Sequence, residues 1–356
     1  MPLSYNKDNF NKVVDRSTTL NVIPNQWGLI QDLGLFRDEY KTQKQILIPR
    51  YIEDDHVVTD RNWDERNNTI AGEQRDELSV KVPHFPLDDA ITPNDIDGTV
   101  SFLDMRDGIE LETVATTRAR KMQRMARAHA LTKEIARAQA ITTGTVYAPN
   151  KTLKTSYGDT INWYTEFGIT RTEVVMDLAD ETINPKVGIE EVLAGIQDGY
   201  LSGSVVNGFV ALCSPEFFNA LTSHPYFIDS VKYFQQPQSL AMLTGRLDAT
   251  GLDARYRSVT FAGMTFVEYR GSYTVNGVTT SYIPAGDAYA FPVGMDDMFV
   301  TYYAPANRFN SINRTALPAY WYEYLNEKDD LIEVMSEQNF MNALLRPQAV
   351  VRMHLA

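Results

Sequence analysis

Cysteine is nearly absent from this chain, which has only one among its 356 residues, Cys213. A single cysteine excludes an intrachain disulfide and any metal cluster held by several thiolates. Cys213 ends an apolar run, GFVALC, so we expect a buried and unreactive thiol rather than a nucleophile. Apolar burial therefore has to stabilise the fold, and the chain is long enough for one large domain or two.

Long apolar runs and an excess of positive charge are also missing. No run approaches the roughly 18 residues that span a bilayer, so the sequence predicts no membrane segment. The first residues, MPLSYNKDNFNKVVDR, lack the apolar core of a signal peptide, and we expect no export. The formal net charge of −13 disfavours a dedicated nucleic-acid-binding protein, which normally has a basic face.

Catalytic and cofactor-binding motifs are missing as well. The five histidines stand far apart, and the sequence has no HExxH, GxxxxGK[ST] or GxSxG pattern and no GxGxxG after a strand. One weak alternative is an enzyme site of Cys213, Ser214 and His224. Charge at a helix start and turn chemistry explain the acidic pairs Glu190–Glu191 and Asp296–Asp297. The sequence therefore predicts no enzyme, no cofactor and no metal.

The chain does have one long stretch of helix-forming residues, from about Asp107 to Ile141. Asp107 is a suitable N-cap, acidic residues follow in the first turn, and Gly144 closes the stretch. A helix of this length measures about 50 Å, more than most domains are wide. Its apolar stripe is narrow and comprises Met122, Met125, Ala126, Leu131, Ile135 and Ala138. We therefore expect much of the helix to rest on other parts of an assembly.

The long helix also carries the one basic patch. Residues 118–137 include one acid, Glu134, and seven basic residues: Arg118, Arg120, Lys121, Arg124, Arg127, Lys133 and Arg137. A DNA-binding helix over residues 118–137 is thus the alternative functional hypothesis. Helical spacing places Arg120, Arg124 and Arg127 on one face of the helix. It places Lys133 and Arg137 on other faces. The pattern favours a solvated helix whose charges pair with the acidic remainder of the chain.

Two strand-like segments follow an N-terminal region that shows no core of its own. Residues 1–43 mix polar residues with scattered aromatics, which indicates an arm that packs on something else. Residues 44–52 and 78–87 read as strands, and a proline in each favours a sheet edge or a protruding ribbon.

The 25 residues between these segments, 53–77, include nine acids and three arginines. A loop of this length is uncommon inside a compact domain. Two interpretations stay open. The segment is either a surface loop or the tip of a long hairpin that contacts a neighbouring subunit through Arg61, Trp63 and Arg66.

The remaining sequence predicts a mixture of helices and strands. A polar connector, 88–106, leads into the long helix, and strand pairs are predicted within 151–169. Later elements are a helix from Gly188 to Tyr200, strands at 205–213, 258–270, 288–294, 298–305 and 316–325, a helix at 215–225, a polar helical stretch to about 254, a hairpin at Asn276–Gly277, and a closing strand at 341–356.

The order of these parts resembles the lambda-type major capsid proteins of tailed phages. The local sequence is most similar to that family in three segments: KQILIPRYI after LGLFR, TFAGMTFVEYRGSYTVNGVTTSYIPAGDAYAFPVG, and the tail LLRPQAVVRMHLA. The tail is similar to that family's closing segment, with Leu344, Leu345 and Pro347 in place. The resemblance covers nearly the whole chain.

The resemblance implies an α+β subunit with the Hong Kong 97-type (HK97-like) capsid fold. Residues 1–43 would form an N-terminal arm and 44–87 an extended two-stranded loop. A peripheral domain with the spine helix (about 107–141) would take 88–202 and 298–356, and an axial domain would take 203–297.

The resemblance also implies the function. The chain would be the major capsid protein of a tailed double-stranded DNA bacteriophage, assembling as hexamers and pentamers into the icosahedral head shell. Expected partners are a separate scaffolding protein, a portal at one vertex, a decoration protein and packaged DNA held by weak non-specific contact. Subunits would assemble in the host cytoplasm and end in the virion. The candidate interface residues are Arg61, Trp63, Arg66, Arg120, Arg124 and Arg127.

Overall fold

A computed structural model describes residues 14–15, 28–52, 74–96, 114–150, 161–199, 206–232, 256–275, 277–295, 297–326 and 331–356. Within these ranges the chain forms six α-helices: α1 Leu29–Asp32, α2 Val114–Thr142, α3 Trp163–Phe167, α4 Pro185–Gly199, α5 Pro215–Ser223 and α6 Pro225–Lys232. The same ranges contain sixteen strands: β1 Val14–Asp15, β2 Arg37–Tyr40, β3 Gln45–Ile52, β4 Gln74–Lys81, β5 His84–Ile91, β6 Thr172–Met176, β7 Gly208–Cys213, β8 Ser258–Phe261, β9 Met264–Glu268, β10 Ser272–Val275, β11 Val278–Ser281, β12 Asp287–Val293, β13 Phe299–Tyr303, β14 Tyr320–Asn326, β15 Leu331–Leu344 and β16 Val351–Leu355. This is the α+β class predicted from the sequence.

The first sheet is organised around β15, its longest strand. The strand order is β1-β14-β15-β13-β2, and β5 also pairs with β15. The first part of β15 lies between β14 and β5, so that Met335 is opposite both Tyr322 and Asp88. Its last residues pair with β13 instead. The sequence predicts a closing strand only from residue 341 onward, and residues 331–340 of β15 lie outside that prediction.

The second sheet brings the end of the chain beside distant segments. Its order is β6-β16-β12-β7-β9-β8, with β16 parallel to β6 and antiparallel to β12. The predicted closing strand at 341–356 is therefore two strands in two sheets, because the 3-10 turn Pro347–Ala349 separates β15 from β16. Helices α4 and α5 pack on this sheet through Ile189, Val192 and Phe217.

Strands β3 and β4 form a ribbon outside both large sheets. They pair in antiparallel register from Gln45 opposite Lys81 to Ile52 opposite Gln74. The predicted strand at 78–87 is interrupted, since β4 ends at Lys81 and β5 begins at His84. Pro83 lies in this gap and has no backbone N–H to donate to a ladder. The chain thus passes from the ribbon to the first sheet at this proline.

The long helix α2 has 29 residues and measures about 43 Å. It packs against β15, β5 and α1. The predicted start near Asp107 lies outside the described residues, whereas the predicted end agrees to within one residue. Gly144 follows the helix with a left-handed φ of 69°, a conformation that costs glycine little. No described helix has the length and apolar character needed to cross a membrane.

Of the segment predicted as strand pairs, 151–169, the structure describes residues 161–169, and these contain a helix instead of a strand pair. Helix α3 begins after Asn162, whose side chain accepts a hydrogen bond from the Tyr164 backbone N–H at 3.0 Å. Gly168 ends the helix with a left-handed φ of 65°. A local cap and a left-handed glycine therefore outweigh the strand-forming aromatic residues here.

The single strand predicted at 258–270 is a hairpin. Strands β8 and β9 pair in antiparallel register, and Ala262 and Gly263 turn between them with φ angles of 50° and 83°. The predicted hairpin at Asn276–Gly277 is present as β10 and β11. Of the predicted polar helical stretch, the structure describes α6 up to Lys232, and residues 233–254 lie outside the described ranges.

One apolar core joins the two sheets to the end of α2. Phe299 from the first sheet and Phe291 from the second meet edge to face, with ring centroids 5.3 Å apart. Ile135 and Ile141 of α2 and the fully buried Trp163 belong to the same cluster. The last turns of the long helix therefore lie at the junction of the two sheets.

Candidate functional site

Three of the basic side chains on α2 share one exposed face. Arg120, Arg124 and Arg127 are spaced by four and three residues, which places them on the same side of a helix. All three are exposed, and Leu131, one turn further on, is 37% exposed. Within the described ranges neither Arg124 nor Arg127 has an ion-pair partner. This face therefore offers positive charge to an acidic partner.

Arg118 and Lys121, two other basic residues of α2, contact the rest of the subunit. Arg118 lies 2.7 Å from the carboxylate of Glu323 on β14. The Lys121 Nζ atom lies 3.2 Å from Asp89 Oδ1 and 3.1 Å from Asp95 Oδ2. These contacts join the first half of α2 to the first sheet.

Arg137 is the most buried of the basic residues, with 2% of its side chain exposed. Its Nη2 atom donates to Asp38 at 3.2 Å and to Thr301 at 3.3 Å, and Nη1 donates to the Gln31 side chain. The guanidinium also lies over the Phe36 ring, 5.1 Å from its centroid. One side chain thus fixes α2 to the segment around β2 and to β13.

Lys133 is the fourth inward basic residue. Its Nζ atom lies 5.1 Å from the centroid of the Tyr303 ring. Burial, together with the neighbouring charge of Arg137, lowers the pKa of Lys133 to about 8. At least four of the seven basic residues therefore make contacts inside the subunit, which removes most of the support for a DNA-binding helix over 118–137.

Glu134 forms a second junction on the same helix. The carboxylate is buried, and its Oε1 atom accepts hydrogen bonds from the Ile30 backbone N–H at 2.9 Å and from the Tyr269 hydroxyl at 2.7 Å. Helix α1 has no side-chain cap of its own at Gly28, so Glu134 satisfies its N-terminus from another helix. Burial raises the pKa of Glu134.

A groove of about 640 Å³ opens between the exposed face of α2 and the β10–β11 hairpin. Its apolar surface includes Leu131 and the rings of Tyr269 and Tyr282, which stack with centroids 4.9 Å apart. Arg127 and Arg270 also line it. Guanidinium groups stay charged at neutral pH, and burial raises the pKa of both tyrosines. The described residues that line the groove include no histidine, cysteine or carboxylate side chain.

The weak enzyme site predicted from the sequence is explained by structural roles. Cys213 is fully buried, and burial raises the pKa of its thiol. The Ser214 hydroxyl accepts hydrogen bonds from the backbone N–H groups of Phe217 at 3.2 Å and Gly286 at 3.0 Å, and so caps α5. His224 follows the last residue of α5, about 14 Å along the helix from this cap. The three side chains do not form a nucleophile–base arrangement.

The expected helix-start position of the first acidic pair is wrong, and of the second pair only Asp297 is described. Glu190 and Glu191 lie in the second turn of α4, because the helix begins at Pro185, before the predicted start. Asp297 lies 3.5 Å from Arg37. The described ranges contain no group of three His, Cys, Asp or Glu side chains placed to hold a metal ion.

The other predicted interface residues, Arg61, Trp63 and Arg66, lie outside the described residues. The structure therefore places only the helix residues Arg120, Arg124 and Arg127. Glu134 and Arg137 were not predicted as functional junctions. The signal that could have found Glu134 is its position as the one acid among the basic residues of the helix.

Comparison with known proteins shows one consistent relationship. The sequence profile described as phage major capsid protein E matches residues 14–355. The chain is 38% identical to the major capsid protein of Pseudomonas phage KPP10, over 99% of this chain and 98% of that protein. It is 27% identical to the major capsid protein of Salmonella phage Felix O1, over 95% of each. Among solved structures, a protein assigned as a prophage capsid protein of E. coli CFT073 superimposes with a TM-score of 0.57 at 14% identity, covering 96% of this chain and 100% of that one.

Proposed function

This chain belongs to the phage major capsid protein E family, and we propose that its copies assemble as hexamers and pentamers into an icosahedral head shell. It is a phage major capsid protein with the Hong Kong 97-type capsid fold. The observation that carries this conclusion is the family match over residues 14–355, together with 38% identity to a major capsid protein across 99% of the chain. The enclosed genome is the double-stranded DNA of a tailed phage.

The ribbon of β3 and β4 supports a role that depends on neighbouring subunits. It belongs to neither large sheet, and its side chains alternate between a buried face with Ile46 and Ile48 and an exposed face. Leu47 on the exposed face is 59% exposed. Such a ribbon buries further apolar area only by lying on another subunit, which links its stability to assembly.

We propose that the interface uses the exposed arginines of α2. Arg120, Arg124 and Arg127 face outward from a chain with a net charge of −13, so an acidic surface of a second copy is a complementary partner. The other candidates, Arg61, Trp63 and Arg66, follow from the sequence alone. Contact through both regions would place each subunit against two parts of its neighbour.

The division into arm, loop, peripheral domain and axial domain remains a proposal, and sheet partnership favours two changes to it. Strands β6 and β16 fall in the predicted peripheral ranges, yet both belong to the sheet that contains β7 and β12. We therefore assign residues 172–199 and 351–355 to the axial domain. Residues 28–40 of the predicted arm pack on their own subunit, since Leu29 and Ile30 are fully buried.

Other partners follow from the proposed function. A shell of this kind needs a scaffolding protein during assembly and a portal at one vertex, and a decoration protein is a further candidate. The subunit's place in the virion is the capsid, and assembly takes place in the host cytoplasm. Packaged DNA is contacted weakly, because an acidic subunit does not bind phosphates strongly. The family is a structural one, and we propose no enzyme activity.

The test is electron microscopy and light scattering of the expressed full chain, alone and with the scaffolding protein from the same phage. We expect capsomers, tubes or closed shells. A chain that stays monomeric under both conditions contradicts the proposal. The DNA-binding alternative predicts duplex binding that weakens steeply with salt. Salt-dependent binding by monomers that never assemble would favour that alternative instead.

A further inference from the structure

Phe309 lies in the loop between β13 and β14, and its side chain is 98% exposed. Ile312, three residues further on, is 44% exposed, and Leu317 of the same loop is 40% exposed. A large aromatic side chain buries roughly 150–250 Å² when it packs, so leaving it in water forgoes a substantial stabilisation. Exposed apolar residues that lie three apart in one turn, as Phe309 and Ile312 do, form a surface of the kind that marks interaction sites.

The loop that carries Phe309 is held in place by several hydrogen bonds. The Ile312 N–H donates to the Arg308 carbonyl at 3.1 Å, which closes one helical turn around Phe309. The guanidinium of Arg308 lies over the Tyr322 ring, 4.8 Å from its centroid. Phe309 and Ile312 thus lie on one side of an anchored turn.

The far end of the loop is fixed as well. The Ala316 N–H donates to the Lys41 carbonyl at 3.0 Å, and the Leu317 N–H donates to the Tyr320 hydroxyl at 2.9 Å. The loop therefore loses little conformational freedom when a partner binds it, which favours affinity. Its exposed phenylalanine is preorganised for contact.

The exposed charge beside Phe309 is positive, because the nearby Glu337 carboxylate is buried and lies against Arg308 and Lys44. Arg314 is exposed and has no ion-pair partner within the described ranges, and Lys44 donates to the Asn307 side chain at 2.5 Å beside the loop. The whole chain has a net charge of −13, so the surface of a second copy is on average acidic. Duplex DNA offers no unstacked base for an aromatic ring, which disfavours DNA as the partner of Phe309.

We propose that Phe309 is an assembly anchor that inserts into an apolar hollow on a neighbouring copy of this chain. Arg314 then faces carboxylates beside that hollow, which orients the contact. This inference rests on the proposed function, because it requires copies of the chain to assemble. It adds to that function a specific residue and the kind of surface that receives it.

The first experiment compares assembly of the wild type with Phe309→Ser. Because Phe309 makes almost no contact within its own subunit, the thermal unfolding of isolated subunits stays the same as in the wild type. Yield of assembled particles falls about tenfold or more, since each contact loses the burial of a phenylalanine. Val187→Ser is the matched control, because Val187 is 68% exposed on α4, and it assembles as the wild type does.

The second experiment uses Phe309→Cys and a maleimide label. The native Cys213 is fully buried and contributes no labelling in folded protein. Cysteine at position 309 reacts readily in isolated subunits and at least about tenfold more slowly in shells. Equal labelling in both states, with unchanged assembly of Phe309→Ser, overturns the inference while leaving the proposed function intact.

Two further outcomes also contradict the inference. Failure of the wild type to assemble contradicts the proposed function and, with it, the anchor. If Phe309→Ser assembles normally but loses binding to a DNA oligonucleotide, the loop contacts nucleic acid rather than a second copy.

Discussion

The two halves of α2 are held in different ways. In its first half the buried residues are Thr117, Met122 and Met125, whereas nine of the twelve buried residues lie from His129 onward. The first half shows an exposed row of arginines, and the second half is surrounded by its own chain. Residues 134–138 are all buried, although they include Glu134 and Arg137.

From this difference we infer that one helix serves two purposes. Its second half joins three distant segments, since Glu134 binds Ile30 and Tyr269 and Arg137 binds Asp38 and Thr301. Its first half is fixed on one side to the first sheet and is exposed to solvent on the other side. The sequence led us to expect that much of the helix rests on other parts of an assembly. The second half is instead buried within its own subunit. The expectation therefore stays a prediction for the first half alone.

We expect the largest loss of unfolding free energy from the removal of Arg137, which lies in the second half of α2. Arg137→Ala leaves Asp38 without its buried partner and removes the contact with Thr301. The free energy of unfolding falls by about 3 kcal/mol, because the buried guanidinium loses its packing and its hydrogen bonds, whereas the Asp38 carboxylate is 33% exposed and stays hydrated. Urea denaturation of isolated subunits measures this. Arg124→Ala, on the exposed face of the same helix, changes the free energy of unfolding by less than about 0.5 kcal/mol. Equal losses in the two variants would contradict the difference between the two halves of α2.

Glu134 gives the next largest effect. Glu134→Ala leaves the Ile30 N–H and the Tyr269 hydroxyl without an acceptor, so unfolding free energy falls by about 2–3 kcal/mol. Glu134→Gln keeps one carbonyl acceptor and loses less, about 1 kcal/mol. Denaturation of both variants at neutral pH provides the measurement. If alanine and glutamine behave alike, the carboxylate does not act as the cap of α1.

His129, at the boundary between the halves, adds a pH dependence. Burial lowers its pKa from 6.5 to about 4, and its Nε2 atom lies 2.8 Å from the Ser336 hydroxyl. At position 129 the unfolded state therefore binds a proton more readily than the folded state does. The free energy of unfolding that neutral His129 contributes is fully present above pH 6.5 and is lost as the pH falls towards 4. At pH 5 the loss is about 2 kcal/mol by linkage.

The measurement is the unfolding free energy of the wild type and of His129→Gln at neutral pH and near pH 5. We expect the variant to lose less stability than the wild type on acidification, because glutamine does not take up a proton. The same acid loss in both proteins would show that other groups determine it.

The smallest effect on stability is predicted for the exposed arginines. Replacing Arg120, Arg124 and Arg127 together by glutamine leaves unfolding within about 0.5 kcal/mol of the wild type. Assembly, in contrast, weakens and loses its salt dependence, as light scattering at several salt concentrations would report. Lys186→Gln, an exposed cation on α4, is the control. Unchanged assembly of the triple variant would remove these arginines from the interface.

Local sequence predicted some elements well. The long helix followed from its helix-forming composition and from Gly144, and the β10–β11 hairpin followed from Asn276–Gly277. The likeness to capsid proteins, based on the order of the parts, identified the family and the fold. These features depend on residues close together in sequence or on their order along the chain.

Features that depend on distant partners could not be predicted. The partner of Glu134 at Ile30 lies 104 residues away, so helical spacing singles out the lone acid in α2 but does not identify the groups that bind it. The chain changes sheets at Pro83 and again at Pro347–Ala349, and each time a continuous strand pattern hides the change. In both cases pairing with a remote strand decides the structure, and neither local propensity nor periodicity contains that information.

Hydrogen exchange along α2, in isolated subunits and in assembled particles, tests the central claim most directly. We expect residues 134–142 to exchange slowly in both states, because their own subunit already buries most of them. Residues 118–127 are predicted to exchange faster in subunits and to become protected on assembly. Equal exchange of residues 118–127 in the two states would contradict the claim that this half of the helix is a contact surface.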